Sequence, residues 1–197
     1  MPLGAFKAAL MGTAGVSSED VVLLSSNTHS NVSAVSFTSG LTSAYKEYIF
    51  AIYMLNPATA GANLGFKASV DGGSNYGVAT TTTSFYTYHK ENSDNPTLGY
   101  VGGDDEAQAT GLINLSGGMH ADADQGCTLI MYLFDPASTV YAKQFTAIWQ
   151  GASNDSPPYA VTQYFGGYVN TTSAVNAMQF AMSSGNLDAK VKLWGVK

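Results

Sequence analysis

Residues 175–197 read VNAMQFAMSSGNLDAKVKLWGVK, two alternating stretches on either side of a Ser-Ser-Gly-Asn break. Side chains on a strand point to opposite faces with a period of two, so Met178, Phe180 and Met182 share one face, as do Val191, Leu193 and Gly195. Each stretch therefore reads as a strand with one buried face. Gly185 and Asn186 are the residue types that enter left-handed backbone most readily, which predicts a hairpin-type reversal between the two strands.

The same grammar runs upstream. Short runs rich in β-branched and aromatic residues, punctuated by turn residues, predict strands at 21–24, 33–37, 45–55, 64–70, 84–89, 112–115, 128–134, 144–149, 159–169, 177–182 and 190–194. No long helical pattern separates them, so a parallel α/β sheet is excluded and an antiparallel sandwich or barrel is expected. Residues 2–11, PLGAFKAALM, hold the single stretch with helical spacing, with Leu3, Phe6, Leu10 and Met11 on one face. A helix that short is marginal alone, so its apolar face is expected to dock onto the sandwich or a neighbouring subunit. The expected division is therefore an arm over residues 1–20 and a β-sandwich over 21–197.

A weak internal repeat has an offset of 79: Ile52-Tyr53-Met54-Leu55-Asn56-Pro57-Ala58-Thr59 returns as Met131-Tyr132-Leu133-Phe134-Asp135-Pro136-Ala137-Ser138. The same offset relates Phe85 to Tyr164 and Tyr86 to Phe165. In each copy proline cannot donate to a ladder and the Asx side chain can bond back to the turn, so the strand should stop and the chain cross over. Two similar halves fit a jelly-roll-like double Greek key better than a six-stranded barrel. The alternative is that two crossovers share the same turn chemistry.

Charged residues make up 11% of the chain, well below the roughly 25% typical of soluble domains. Such a composition suits a β-rich protein that hides surface against neighbours. The net charge of −6 offers no basic footprint for a nucleic-acid backbone. No leader-like segment or run of 18 apolar residues is present, so neither export by that route nor a membrane partner is expected. The one cysteine, Cys127, lies in an apolar run and reads as a buried structural thiol.

Catalytic signals are weak. His29, His89 and His120 lack metal-ligand spacing and read as exposed loop histidines. The acids Asp104, Asp105, Glu106, Asp122 and Asp124, with Asp71 apart, read as solvated loop charge, since none forms a twelve-residue calcium loop. Asp104, Asp105, Asp122 and Asp124 are the clustered carboxylates that a glycan hydrolase would draw on. No phosphate-binding glycine loop or nucleophile elbow occurs, and no enzyme activity, cofactor or metal is expected. Twelve tyrosines, nine phenylalanines and two tryptophans remain, and tyrosine suits subunit interfaces and sugar-binding surfaces alike. Tyr86, Tyr88, Tyr159 and Tyr164 are the candidate surface-binding aromatics, on a sheet face or loop end.

The ending 176–196, with Gln179-Phe180, the Ser183-to-Asp188 turn and the Lys192-Leu193-Trp194-Gly195-Val196 finish, resembles the C-terminus of small structural proteins of tailed bacteriophages, especially those of marine bacteria. Tyr48-Ile49-Phe50, Asn56-Pro57-Ala58-Thr59, the turn from Ser69 to Tyr76, and Gly167-Tyr168-Val169-Asn170-Thr171-Thr172 are similar to segments of the same group. The resemblance spans roughly residues 45–197; Lys190-Val191-Lys192 departs from the small uncharged residues expected there. It implies a virion component, assembled in the host cytoplasm, on a jelly-roll-like sandwich and usually a homotrimer. The implied roles are a decoration or cement protein on the head, or a fibre or tip module on the tail. Further copies, other virion proteins such as the major capsid protein, and a host surface glycan are the implied partners. Leu3, Phe6, Leu10 and Met11 would then dock onto the underlying shell.

Overall fold

In a computed structural model that describes residues 20–92 and 96–197, the chain forms two antiparallel sheets packed face to face. The strands are β1 (Val21–Val32), β2 (Ala34–Phe37), β3 (Glu47–Pro57), β4 (Leu64–Ser69), β5 (Thr80–Lys90), β6 (Thr97–Tyr100), β7 (Ile113–Asn114), β8 (Cys127–Phe134), β9 (Lys143–Ala152), β10 (Tyr159–Val169), β11 (Ala177–Met182) and β12 (Leu187–Val196). One sheet has eight strands in the order β1-β12-β3-β8-β9-β10-β5-β6; the other has four, β2-β11-β4-β7. In sequence, every strand of the small sheet lies between two strands of the large one. The fold is thus the all-β sandwich that the alternating pattern predicted.

Each of the eleven expected strands is present; β6 is the addition. It has four residues and holds onto β5 alone, pairing Phe85 with Tyr100 and Tyr88 with Thr97. The expected arm residues Leu3, Phe6, Leu10 and Met11 lie outside the described residues.

The core follows from side-chain parity. On the large sheet Tyr48, Phe50 and Ile52 of β3, Leu129, Met131 and Leu133 of β8, and Phe145, Ala147 and Trp149 of β9 point inward and are buried. From the small sheet Val35, Phe37, Leu64, Phe66, Met178 and Phe180 meet them. The layers lock through aromatic edges: Phe50 touches Phe37 and Phe180, both at 5.2 Å between ring centres, and Phe66 meets Phe145 at 5.0 Å. Offset and edge-on pairs of this kind add to the area term of burial. Cys127 sits inward on β8, where burial pushes its thiol pKa up. Lys143 is also buried at the start of β9, its ammonium donating to the carbonyls of Tyr141 (2.6 Å) and Thr171 (3.0 Å).

Two expectations are corrected. β11 and β12 do not form a hairpin: β11 belongs to the small sheet and β12 to the large, so the turn at Ser183–Asn186 changes layer. Gly185 takes φ +71° there, and a Cβ at this position would lie 2.4 Å from Thr59 Oγ1. The 79-residue offset is not a duplicated connection either. After Pro57 the chain passes to the small sheet as β4, whereas after Asp135-Pro136 it returns as β9 beside β8. Similar turn chemistry ends both strands, and the layer entered next is set by which face must be covered.

Phe180 joins both layers at the centre of the core. Phe180→Ala should lower stability by about 3–5 kcal/mol, while Val140→Ala, in an exposed loop, should stay within about 0.5 kcal/mol; chemical denaturation midpoints read both.

Candidate functional site

The small sheet spans half as many strands as the large one, so the inner face of the large sheet toward β10, β5 and β6 must be covered by something else. Part of the covering comes from the segment after β6. Thr80 pairs with Ala109, Thr82 N–H donates to Glu106 O at 2.9 Å, and Thr82 Oγ1 donates to Asp104 O at 2.9 Å. Further along β5 a cleft of about 270 Å³ remains, walled by Tyr86 and Tyr88 of β5, Tyr159, Val161 and Gln163 of β10, and Trp149 of β9. Asp104, Gly117, Gly118, Ser153 and Asp155, with Val101, complete it from the loops.

Parity explains its aromatic wall. Tyr86 and Tyr88 are two apart on β5 and point inward together; Tyr159 starts the inward set of β10. Tyr86 and Tyr88 stack at 5.5 Å with 20° between planes, and Tyr159 follows at 4.6 Å from Tyr88, tilted by 34°. The ammonium of Lys90 lies 5.9 Å from the centre of the Tyr159 ring. Burial, and secondarily the hydrogen bond to Asp155, pushes the Tyr159 phenol up to about 12.

The floor is polar. Asp104 is buried without an ion pair among the described residues, and its carboxylate accepts from Gln163 Nε2 at 2.8 Å and Asn114 Nδ2 at 3.1 Å. Gln163 Nε2 also lies 3.3 Å from Ser84 Oγ. A carboxylate held by two amides retains unused lone pairs. Trp149 is buried, with its Cζ3 edge toward Gly117 and the cleft and its indole N–H edge toward Cys127. Sequence reasoning placed Asp104 in solvent and missed Trp149 and Gln163, because only the three-dimensional covering of β10 and β5 turns these residues into a floor.

Tyr164, the fourth expected aromatic, lies on the opposite face. It stacks on Phe85 at 5.0 Å and 11°, in a row that crosses five neighbouring strands in register: Ile130, Ile148, Tyr164, Phe85 and Tyr100. These side chains are 37%, 40%, 38%, 47% and 60% exposed, so an ordered apolar stripe faces outward. At about 4.8 Å per strand it runs about 19 Å. The row on one side is Thr128, Gln150, Thr162 and Thr87, and on the other Tyr132, Thr146, Gly166 and Thr83. None of these positions is charged.

The remaining candidates scatter. Asp71 caps its own turn, accepting from Asn75 N–H at 2.9 Å, Asn75 Nδ2 at 2.6 Å and Ser69 Oγ at 2.7 Å; the Asn75 amide and Ser69 hydroxyl hold its carboxyl down to about 2. Asp105 accepts from the Tyr100 hydroxyl. His120, half-buried in its loop, lies 3.4 Å from Asp122, while His29 and His89 sit on strands rather than loops. Among the described residues no three of His, Cys, Asp and Glu converge on a point that could hold a metal.

No protein-family model matches the chain, and no curated protein matches it. Among solved structures, an aerolysin-like protein from Bombina maxima is 8% identical over 89% of this chain and 92% of that one, with a TM-score of 0.16. So low a score supports no argument about fold or activity.

The Tyr159 phenol has a testable sign. A folded-state value near 12 against about 10 unfolded stabilises the fold below pH 10, and that contribution is lost as pH rises toward 12. Asp155→Asn should lower the phenolate midpoint of Tyr159 in ultraviolet titration yet leave it above 10, because burial is the larger cause.

Proposed function

We propose that this chain is a non-enzymatic structural protein of a bacteriophage virion, a head decoration or cement protein that works as a homo-oligomer, with a trimer as the arrangement its resemblance implies. The observation that carries the reading is the uncharged outward face of β8, β9, β10 and β5 with its apolar row. A face bearing no charge does not repel its own copy, although the chain carries −6 overall. Burying Ile, Phe, Tyr and Thr there requires no desolvation of an ionised group. Ordered apolar patches of this extent on a soluble chain mark interaction surfaces. The scarcity of charge across the sequence and the phage-like segments support the same reading.

Under this proposal the arm, with Leu3, Phe6, Leu10 and Met11, anchors the oligomer to the shell formed by the major capsid protein. A second reading, a tail-fibre or tail-tip module that recognises host glycan, draws on the aromatic cleft instead of the outward face.

Replacing Ile148 and Tyr164 together by lysine places charge at the middle of the row. Sedimentation equilibrium at micromolar concentration should give the mass of three 20.6 kDa chains for the wild type and of one for the variant, with unchanged far-ultraviolet dichroism. A monomeric wild type, or a variant of wild-type mass, would refute assembly through this face.

A further inference from the structure

We infer that the cleft over β10 and β5 binds the terminal unit of a neutral saccharide. The inference goes beyond assembly, because the cleft opens on the inner side of the large sheet and shares no side chain with the outward row. It holds equally for a chain on a head or on a tail.

Shape comes first. Small-molecule sites are concave, largely preformed and about 300–1,000 Å³, lined by aromatic groups with a few placed polar ones. At about 270 Å³ this cleft falls just below that range, which suits a single sugar ring and not a longer stretch of chain.

The aromatic geometry then narrows the ligand. A cage for an ammonium group needs ring faces converging on one point. Tyr86 and Tyr88 are instead nearly parallel and already face each other, and Tyr159 continues the stack with Lys90 above it. Tyr86, Tyr88 and Tyr159 all line the cleft, each with an apolar ring and a polar phenolic tip, which suits a molecule that carries both C–H surface and hydroxyls.

Charge excludes a further class. Asp104 and Asp155 line the cleft, and Lys90, the one cation close by, sits over the Tyr159 ring outside the lining, so two acids against one amine disfavour phosphates, sulfates and uronates. Asp104 is fixed by Gln163 and Asn114, and an ionised carboxylate has about four lone-pair sites, so acceptors remain for ligand hydroxyls. A polar, hydrogen-bonding floor beneath an aromatic wall rejects a purely apolar ligand by the same logic.

Gly117 supplies a direct test. A Cβ there would lie 3.6 Å from Gln163 Oε1 and 3.9 Å from the Trp149 ring, ordinary contacts that leave the backbone unstrained, while a longer side chain would occupy the cleft. Saturation-transfer NMR on the full chain would use D-glucose, D-galactose and N-acetylglucosamine as neutral probes, with D-glucuronate and choline as the anionic and cationic arms. At least one neutral sugar should bind the wild type, about tenfold more weakly to Tyr88→Ala and Gly117→Leu, and unchanged to Val140→Ala in an exposed loop outside both the cleft and the outward row. A folded-state amide spectrum validates each variant, and Gly117→Leu carries the test if Tyr88→Ala loses that spectrum. Absence of binding by all three neutral sugars, binding of choline or glucuronate alone, or undiminished binding to Gly117→Leu overturns the inference. None of these outcomes alters the sedimentation mass, so this inference and the assembly proposal fail separately.

Discussion

The structure depends on covering an eight-stranded sheet with one of four strands. Burial of apolar area is the main force holding the layers together, and it is satisfied where Phe37, Phe66 and Phe180 meet Phe50 and Phe145. Toward β10 and β5 the supply of apolar cover runs out. The chain fills that end with loop backbone, a buried Asp104 and the amide of Gln163 in place of further aliphatic side chains. A sandwich of two equal layers would have closed there. The mismatch leaves a concave inner corner, and the wide sheet also carries a broad outer face that no part of the described chain covers.

Much of this was written in local alternation. The strands at 159–169 and 177–182 are legible to the residue, because the inward sets Val161, Gln163, Phe165 and Met178, Phe180, Met182 repeat every second position. β6 was not, since Thr97-Leu98-Gly99-Tyr100 has little to bury and owes its extended form to β5. The Ser183–Asn186 reversal was recognised as a turn, but nothing local says whether a turn stays within a sheet or changes layer. Layer choice is a property of the whole core.

The candidate site divides in the same way. Tyr159 and Tyr164 are five residues apart, an odd number, so period-two geometry alone places them on opposite faces of one strand. Of the expected group, Tyr86, Tyr88 and Tyr159 come together, and Tyr164 belongs with Phe85, its partner both across the strand pair and in the 79-residue offset. Asp104 looked like solvent-facing loop charge because its burial depends on Asn114 and Gln163, ten and fifty-nine residues away. One strand pair, β5 with β10, thus bears a polar aromatic cleft on one side and a neutral apolar stripe on the other.

Under the proposed assembly the two sides differ in what they meet: water and small solutes inside the cleft, another copy of the chain outside. Paramagnetic relaxation by a neutral soluble gadolinium chelate, read on assigned side-chain protons at concentrations where the chain is assembled, tests it most directly. Strong relaxation is expected at the Tyr86 and Tyr88 rings, with Ile148 and Tyr164 as protected as the core ring Phe145. Tyr86 and Tyr88 as protected as Phe145, or Ile148 and Tyr164 fully relaxed, would contradict it.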